Sequence, residues 1–140
     1  MITAIYAAFA GLMLVWLSIK VIKARVKGGV AYGDGDNLAV RQAARAHGNF
    51  IEYTPLFLIL LMFAEMHQLS IYAVHGLGLL FMAGRILHAY GLLYKETARA
   101  DGGVDGSIKC RQKGMMLTFF TLVVASLMVA WLVISARVFV

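Results

Sequence analysis

The apolar residues of this chain fall into four runs, each bounded by polar or glycine-containing sequence. The runs cover residues 2–22, 50–64, 69–94 and 115–134. A helix that crosses the hydrocarbon core of a membrane needs about 20 mostly apolar residues, and the second run is too short for this. We therefore predict that its helix begins earlier, near Leu38, with Asp36 or Asn37 as the N-cap. The polar segment RAHGNFIE, residues 45–52, then lies inside a helix.

Composition supports a membrane protein. The chain has 61% apolar and 14% charged residues, whereas a soluble globular chain has about 45–50% and about 25%. A signal peptide needs basic residues before its apolar core, and none precede the first run, so we predict that this helix is retained. The 140 residues suit one domain. We predict an all-α, integral membrane four-helix bundle that forms a single domain, residues 1–140.

The basic residues predict the orientation of the helices. They lie mainly between helices one and two and between helices three and four, while the turn at residues 66–68 has no lysine or arginine. The positive-inside rule places both basic segments in the cytoplasm and both termini outside. Topology and anionic membrane lipid then account for the net charge of +6, and we expect no nucleic-acid partner.

The polar residues of the second helix fall on one stripe. At about 100° per residue, Arg45, Asn49 and Glu52 lie within about 60° of one another. On the third helix, Arg85 and His88 share a face as residues i and i+3, at a similar depth in the membrane. An ionisable side chain that faces lipid costs at least about 2.5–3.5 kcal/mol. We therefore predict that the two helices enclose a polar pocket open to the cytoplasm.

Two interpretations of this pocket stay open on the residues alone. Glu52 and Arg85 could form an interhelical ion pair that fixes the register of the bundle. The surplus of arginine near one carboxylate instead favours a site for an anionic ligand. The arginines concerned are Arg41, Arg45, Arg85 and Arg111.

Several other polar residues fit structural roles. His47 points to the far side of the second helix, so we predict that it packs against another helix rather than binding a ligand. His75 lies apart from the other polar residues and is predicted to be a packing histidine with a satisfied hydrogen bond. Glu65 and His67, at the outer helix end, are predicted to be solvated.

The helix-two motif resembles the signature of a known family. Arg45-Ala46-His47-x-Asn49-x-x-Glu52-x-x-Pro55 resembles the signature of the MAPEG family, membrane-associated proteins in eicosanoid and glutathione metabolism. The segment Gly84-Arg85-Ile86-Leu87-His88 resembles the third-helix motif of that family. Arg111 stands where the family carries an arginine tied to thiolate activation. The resemblance covers nearly the whole chain and is nearest to the small bacterial members, which implies the cell inner membrane.

The resemblance implies a homotrimer that binds glutathione between neighbouring subunits, near the cytoplasmic side. Arg45 would bind a carboxylate of glutathione, Glu52 its ammonium group and Asn49 a backbone amide. Arg25 would reach the ligand of the adjacent subunit, and Arg111 would stabilise the thiolate as the catalytic residue. Taken with the polar pocket, the predicted binding residues are Arg25, Arg45, Asn49, Glu52, Tyr53, Arg85 and His88. The expected reaction is glutathione transfer to a lipophilic electrophile, or reduction of a peroxide.

The sequence departs from the family pattern at two positions, so catalysis is not decided. Some members carry a basic residue where Gly48 stands, and many carry a tyrosine where Met115 stands. Tyr90 and Tyr94 lie near the family's binding tyrosines but out of register with them. Two other functions stay open: a small cation or drug transporter that uses Glu52, and a non-catalytic structural or lipid-binding trimer.

Overall fold

Four long helices and a short hairpin make up the computed structural model, which describes the backbone of residues 1–138 and the side chains of residues 1–135. The last two residues of the predicted domain lie outside this part. In chain order the elements are α1 (Thr3–Gly28), α2 (Leu38–Met66), α3 (Ile71–Tyr90), a π-helical turn (Gly91–Lys95), β1 (Glu96–Ala98), β2 (Val104–Gly106) and α4 (Lys109–Val138). The predicted all-α four-helix architecture is confirmed.

The second helix begins where its cap predicts. The side-chain oxygen of Asn37 accepts hydrogen bonds from the backbone N–H groups of Ala39 and Val40, which satisfies two of the free donors at the helix start. Helix α4 begins earlier than its apolar run, at Lys109. Arg111 therefore lies in the first turn of α4, whereas the apolar pattern had placed it before the helix.

All four helices are long and apolar enough to cross a membrane. The outer helices α1 and α4 expose large apolar side chains along their length, among them Phe9, Leu12, Phe120, Val123, Leu127 and Trp131. A soluble protein rarely exposes apolar patches of this extent. In the bilayer these side chains contact lipid, which is as apolar as they are.

The bundle core lies where the middles of α2 and α3 meet. The rings of Phe57 and Phe81 stack with their centroids 3.8 Å apart and their planes nearly parallel. Leu17 of α1, Leu61 of α2 and Val74 of α3 are fully buried beside them. This layer separates the polar end of the bundle from its opposite end.

The end of the bundle opposite the polar pocket is closed by two polar contacts. The Glu65 carboxylate accepts hydrogen bonds from the backbone N–H groups of Ile2 and Thr3, the latter at 2.8 Å. The prediction that Glu65 is solvated is therefore wrong, because the first amides of α1 need an acceptor. His75 is satisfied as predicted, with its Nδ1 atom 2.8 Å from the Tyr6 hydroxyl.

Helices α3 and α4 approach each other closely at three glycines. A Cβ atom on Gly114 would lie 2.5 Å from the backbone nitrogen of His88 and 2.6 Å from the carbonyl oxygen of Gly84. A Cβ atom on Gly91 would lie 2.6 Å from the backbone nitrogen of Arg111. Only glycine allows two backbones to pass at this distance. The contact fixes the start of α4 against the end of α3.

The hairpin between α3 and α4 was not predicted from the sequence. Its strands pair in antiparallel fashion, with Glu96 opposite Gly106 and Ala98 opposite Val104. Strands of three residues are too short to produce a visible alternation of apolar and polar positions. The hairpin returns the chain to the bundle and leaves the Glu96 side chain buried at the start of α4.

Replacement of Gly114 by alanine tests the close contact between α3 and α4. The added methyl group would collide with backbone atoms of α3, so the two helices must separate. We expect Gly114→Ala to destabilise the protein by about 1–3 kcal/mol, measured by thermal unfolding in detergent. Gly76→Ala is the control, because no heavy atom lies within 4 Å of a Cβ atom at Gly76. Equal melting temperatures for the two variants would contradict the contact.

Candidate functional site

Three helices bring their polar residues together around one open pocket. Its volume is about 300 Å³. It is lined by Arg45 and Asn49 of α2, His88 of α3, Leu92 of the π-helical turn, and Arg111, Gln112 and Met115 of α4. Four of the eight residues predicted to form the site therefore meet in one place: Arg45, Asn49, His88 and Arg111. The sequence predicted a pocket between α2 and α3, and the structure adds α4 as a third wall.

Arg85 lies behind this pocket rather than in its lining. Its side chain is completely buried, and it donates hydrogen bonds to Asn49 Oδ1 at 2.6 Å and to Thr118 Oγ1 at 3.1 Å. The guanidinium carbon lies 5.7 Å from the ring centroid of Tyr53. Arg85 thus links α2, α3 and α4. It forms no ion pair with Glu52, although such a pair was one of the two interpretations of the sequence.

The Arg85 hydrogen bond orients the Asn49 amide. Because its oxygen accepts from Arg85, the amide NH₂ group is left to donate. Asn49 is nearly buried and lines the pocket, so this donor can reach a carbonyl or carboxylate oxygen placed there.

His88 lines the same pocket and also contains a buried ring nitrogen without a partner in the described part of the chain. The side chain is 4% exposed, and its Nδ1 atom has no hydrogen-bond partner among the described residues. A buried polar atom without a partner is costly.

Arg111 is held in place by a buried carboxylate. Its guanidinium group lies 3.0 Å from Glu96 Oε2, and the Glu96 side chain is only 2% exposed. Burial raises the pKa of Glu96, while the positive charge of Arg111 acts to lower it. Glu96 Oε1 has no partner within the described part of the chain. This carboxylate sets the position of the arginine that was predicted to act in catalysis.

Two residues that hold the walls of the site in place were missed by sequence reasoning. Glu96 lies in a segment that looked like a solvated loop, so no local signal marked it. Gln42 lies one turn before Arg45 on α2. Its side-chain amide donates to the carbonyl oxygen of Glu96 at 2.7 Å and to that of Leu92, which ties α2 to the hairpin. Gln42 lies beside the polar stripe of α2, and this position was a signal in the sequence that could have indicated its role.

Arg45 and Glu52 form a second ion pair, on the flank of α2. Arg45 Nη1 lies 3.8 Å from Glu52 Oε1, and the two side chains are 69% and 48% exposed. Glu52 does not line the pocket. The three residues of the predicted α2 stripe therefore do not share one environment. Asn49 points into the bundle, while Arg45 and Glu52 lie along the open edge of the pocket.

The remaining predicted residues lie apart from the pocket. Arg25 donates to the carbonyl oxygen of Gly33 at 3.2 Å and lies beside a separate hollow near the end of α1. Tyr53 packs edge-on against Phe119, with ring centroids 5.7 Å apart. His47 was predicted to pack against another helix, and its Nε2 atom indeed lies 3.1 Å from the Ser18 hydroxyl of α1.

A second hollow adjoins the pocket on the hairpin side. It has a volume of about 240 Å³, and its lining includes Arg41, Arg45, Arg99 and Arg111. The outer arginines are already paired, since Arg41 lies 2.7 Å from Asp34 and Arg99 lies 2.8 Å from Asp101. The hydrogen bond from Arg41 lowers the pKa of Asp34. Among the described residues, no group of acidic, histidine or cysteine side chains could hold a metal ion.

Comparisons with known proteins agree with this architecture. The sequence model of the MAPEG family matches residues 3–131, which include every predicted site residue. The inner membrane protein YecN of Escherichia coli strain K12 is 33% identical over 131 residues, covering 94% of this chain and 92% of that protein. YecN of Escherichia coli O6:H1 strain CFT073 shows the same identity and coverage.

The buried position of Glu96 predicts a pH dependence of stability. Its raised pKa means that the folded protein holds this proton more tightly than the unfolded chain does. The stabilising effect is complete below the ordinary pKa of 4.5 and is lost as the pH rises through the raised value. We therefore expect the melting temperature, relative to that of Glu96→Gln, to fall as the pH rises from 4.5 to the raised pKa of Glu96. At higher pH the difference should level off. A difference that stays constant or increases with pH would contradict the raised pKa.

Proposed function

This chain belongs to the MAPEG family, and we propose that it is an inner-membrane protein that binds glutathione in the pocket between α2, α3 and α4. The observation that carries the proposal is the meeting of two guanidinium groups, an orientated amide and an imidazole ring in one cavity. Glutathione has two carboxylates, one ammonium group, one thiol and two amides. Its groups match the charges and donors of the pocket.

Each lining residue has a proposed role in holding the ligand. Arg45 binds one carboxylate, as guanidinium groups favour two-point contact with this group. Asn49 donates its NH₂ group to an amide carbonyl of the peptide. Glu52, which already lies near Arg45, accepts the ammonium group at the open edge of the pocket. His88, which lines the pocket, supplies a further contact through its imidazole ring.

The proposed chemistry depends on Arg111. A thiol becomes a strong nucleophile only as the thiolate, and a nearby cation lowers the thiol pKa from about 8.5. In the transfer reaction the thiolate sulfur forms a bond to an electrophilic carbon, and the leaving group departs with the electron pair of the bond that breaks. The alternative reaction is reduction of a peroxide, in which the thiolate attacks one oxygen, the O–O bond breaks to release an alcohol, and a second glutathione converts the resulting sulfenic acid to a disulfide and water. The lipophilic substrate enters from the bilayer, to which the bundle exposes its apolar sides.

The exposed flank of α2 supports an oligomer with sites between subunits, and the family resemblance implies that this oligomer is a homotrimer. The side chains of Arg45 and Glu52 are 69% and 48% exposed, within a helix long enough to span the membrane. Charged groups that face lipid are unfavourable, so a second copy is needed to cover this flank. In the proposed trimer that copy brings Arg25 to the ligand.

The distribution of charge supports the proposed orientation. The pocket lies at the bundle end formed by the start of α2, the end of α3 and the start of α4. The basic segments before α2 and before α4 lie at the same end. By the positive-inside rule this end faces the cytoplasm, where glutathione is present, and both termini face outward.

The contacts of Glu52 give no support to cation transport. A carrier of this kind needs a free carboxylate in the membrane to bind its substrate. Glu52 instead lies 3.8 Å from Arg45, whose positive charge disfavours a purely cationic substrate more than glutathione, which also carries two carboxylates. Glutathione binding remains the function that best uses the surplus of arginine.

Removal of both charges on the α2 flank tests glutathione binding. Hydrogen bonds to charged groups contribute about 1.5–3 kcal/mol each, so we expect Arg45→Ala combined with Glu52→Gln to weaken binding at least tenfold. Isothermal titration calorimetry of the detergent-solubilised protein measures the change. Arg99→Ala combined with Asp101→Asn is the matched control, because it removes an exposed ion pair with the same change in net charge. Unchanged affinity in the first variant would overturn the site.

The role of Arg111 is tested by the acidity of the bound thiol. With saturating glutathione, Arg111→Ala should raise the thiol pKa towards the free value of about 8.5, followed by the ultraviolet absorbance of the thiolate. Arg111→Lys keeps the charge and should raise it less. Lys113→Ala, an exposed position on the same helix, should leave it unchanged. An unaltered thiol pKa in Arg111→Ala would show that Arg111 has no part in thiolate formation.

A further inference from the structure

A second, wholly apolar groove lies between α1 and α3. Its volume is about 380 Å³. The lining consists of Phe9, Leu12, Met13 and Trp16 of α1 with Met82, Ile86, Tyr90 and Tyr94 of α3 and the π-helical turn. None of these residues lines the proposed glutathione pocket, so the groove is a separate feature of the bundle.

At the end of the groove far from the basic loops, α1 and α3 are in direct contact. There the Tyr6 ring lies directly against Gly78, where a Cβ atom would collide with it. The Tyr6 hydroxyl also donates to the carbonyl oxygen of His75 at 3.1 Å. These contacts join α1 to α3, and the groove begins beyond them.

The other end of the groove carries aromatic rings and two lysines. Lys20 Nζ lies 5.4 Å from the ring centroid of Trp16 and 5.2 Å from that of Tyr94. Lys95 Nζ lies 5.5 Å from the ring centroid of Tyr90. In the described part of the chain, neither lysine lies within 4.0 Å of a carboxylate. Two unneutralised ammonium groups therefore stand over aromatic rings of the type that line membrane interfaces.

The length of the groove suits an acyl chain better than a transmembrane helix. From Phe9 to Lys20 the helix rises about 16 Å, which is close to half of a hydrocarbon core of about 30 Å. A transmembrane helix from another subunit would need a groove along the full height of the bundle. An acyl chain occupies one leaflet only, and its headgroup lies at the interface.

We propose that this groove binds an anionic phospholipid of the leaflet on the basic side. One acyl chain lies along Phe9, Met13 and Ile86, and the phosphate lies between Lys20 and Lys95. The charge of the headgroup complements the two lysines, and attraction of this kind adds to burial of the chain. The site does not depend on glutathione binding.

Tryptophan fluorescence tests the proposal directly. The chain has two tryptophans, Trp16 in the groove and Trp131 on the exposed face of α4. The full chain with Trp131→Phe is placed in vesicles that contain a small fraction of brominated phosphatidylglycerol or brominated phosphatidylcholine. We expect the brominated phosphatidylglycerol to quench Trp16 more strongly. Lys20→Gln and Lys95→Gln should each reduce this preference by roughly fivefold.

Two controls separate a specific site from general attraction to anionic lipid. Lys23→Gln with Lys113→Gln removes the same charge from exposed positions and should leave the preference intact. The Trp16→Phe protein should show no headgroup preference. Its remaining tryptophan, Trp131, lies on another helix and far in sequence from the groove lysines. Equal quenching of Trp16 by both lipids, or a preference that survives loss of both lysines, would overturn the proposal. So would the absence of quenching by either lipid, which would indicate that a second copy covers the groove.

Discussion

The close approach of α3 and α4 is the constraint on which the polar end of this protein depends. Gly114 lies against the backbone of His88 and Gly84, and Gly91 lies against that of Arg111. No larger residue fits at these positions without separating the helices. Because the two backbones touch, the first turn of α4 lies beside the last turn of α3. The pocket forms in the angle between that contact and the neighbouring face of α2.

The same contact allows a cation to be buried without a carboxylate partner. Arg85 reaches Thr118 of α4 only because α4 is so near, and it reaches Asn49 of α2 on its other side. Burial of a charge is costly unless hydrogen bonds and nearby charge compensate. The Tyr53 ring adds a cation–π contact. Arg85 consequently acts as a fixed link between three helices, and it sets the direction in which the Asn49 amide can donate.

The sequence predicted the helices and much of the site because those features are local. Hydrophobic run length indicated four spans, the Asn37 cap indicated the start of α2, and the spacing of Arg45, Asn49 and Glu52 indicated a polar stripe. Contacts between distant residues left no such signal. Glu96 is buried only because the hairpin turns back onto α4, and Glu65 is bonded only because the start of α1 reaches it. Their positions depend on how the helices pack, which periodicity along one helix does not encode.

The packing also bears on the proposal that the pocket binds an anion although Glu96 is already there. Lys109 and Arg111 lie at the start of α4, where the helix dipole is itself positive and cations are unfavourable. The carboxylate of Glu96 offsets part of this charge. Its burial raises its pKa, which shows that burying the charged carboxylate is itself unfavourable. Arg45 adds a further cation, and its partner Glu52 lies at the open edge rather than inside. Arg85, which is bonded to Thr118 and Asn49 and, within the described residues, to no carboxylate, leaves this end of the bundle with a surplus of positive charge, which the two carboxylates of the proposed ligand would offset.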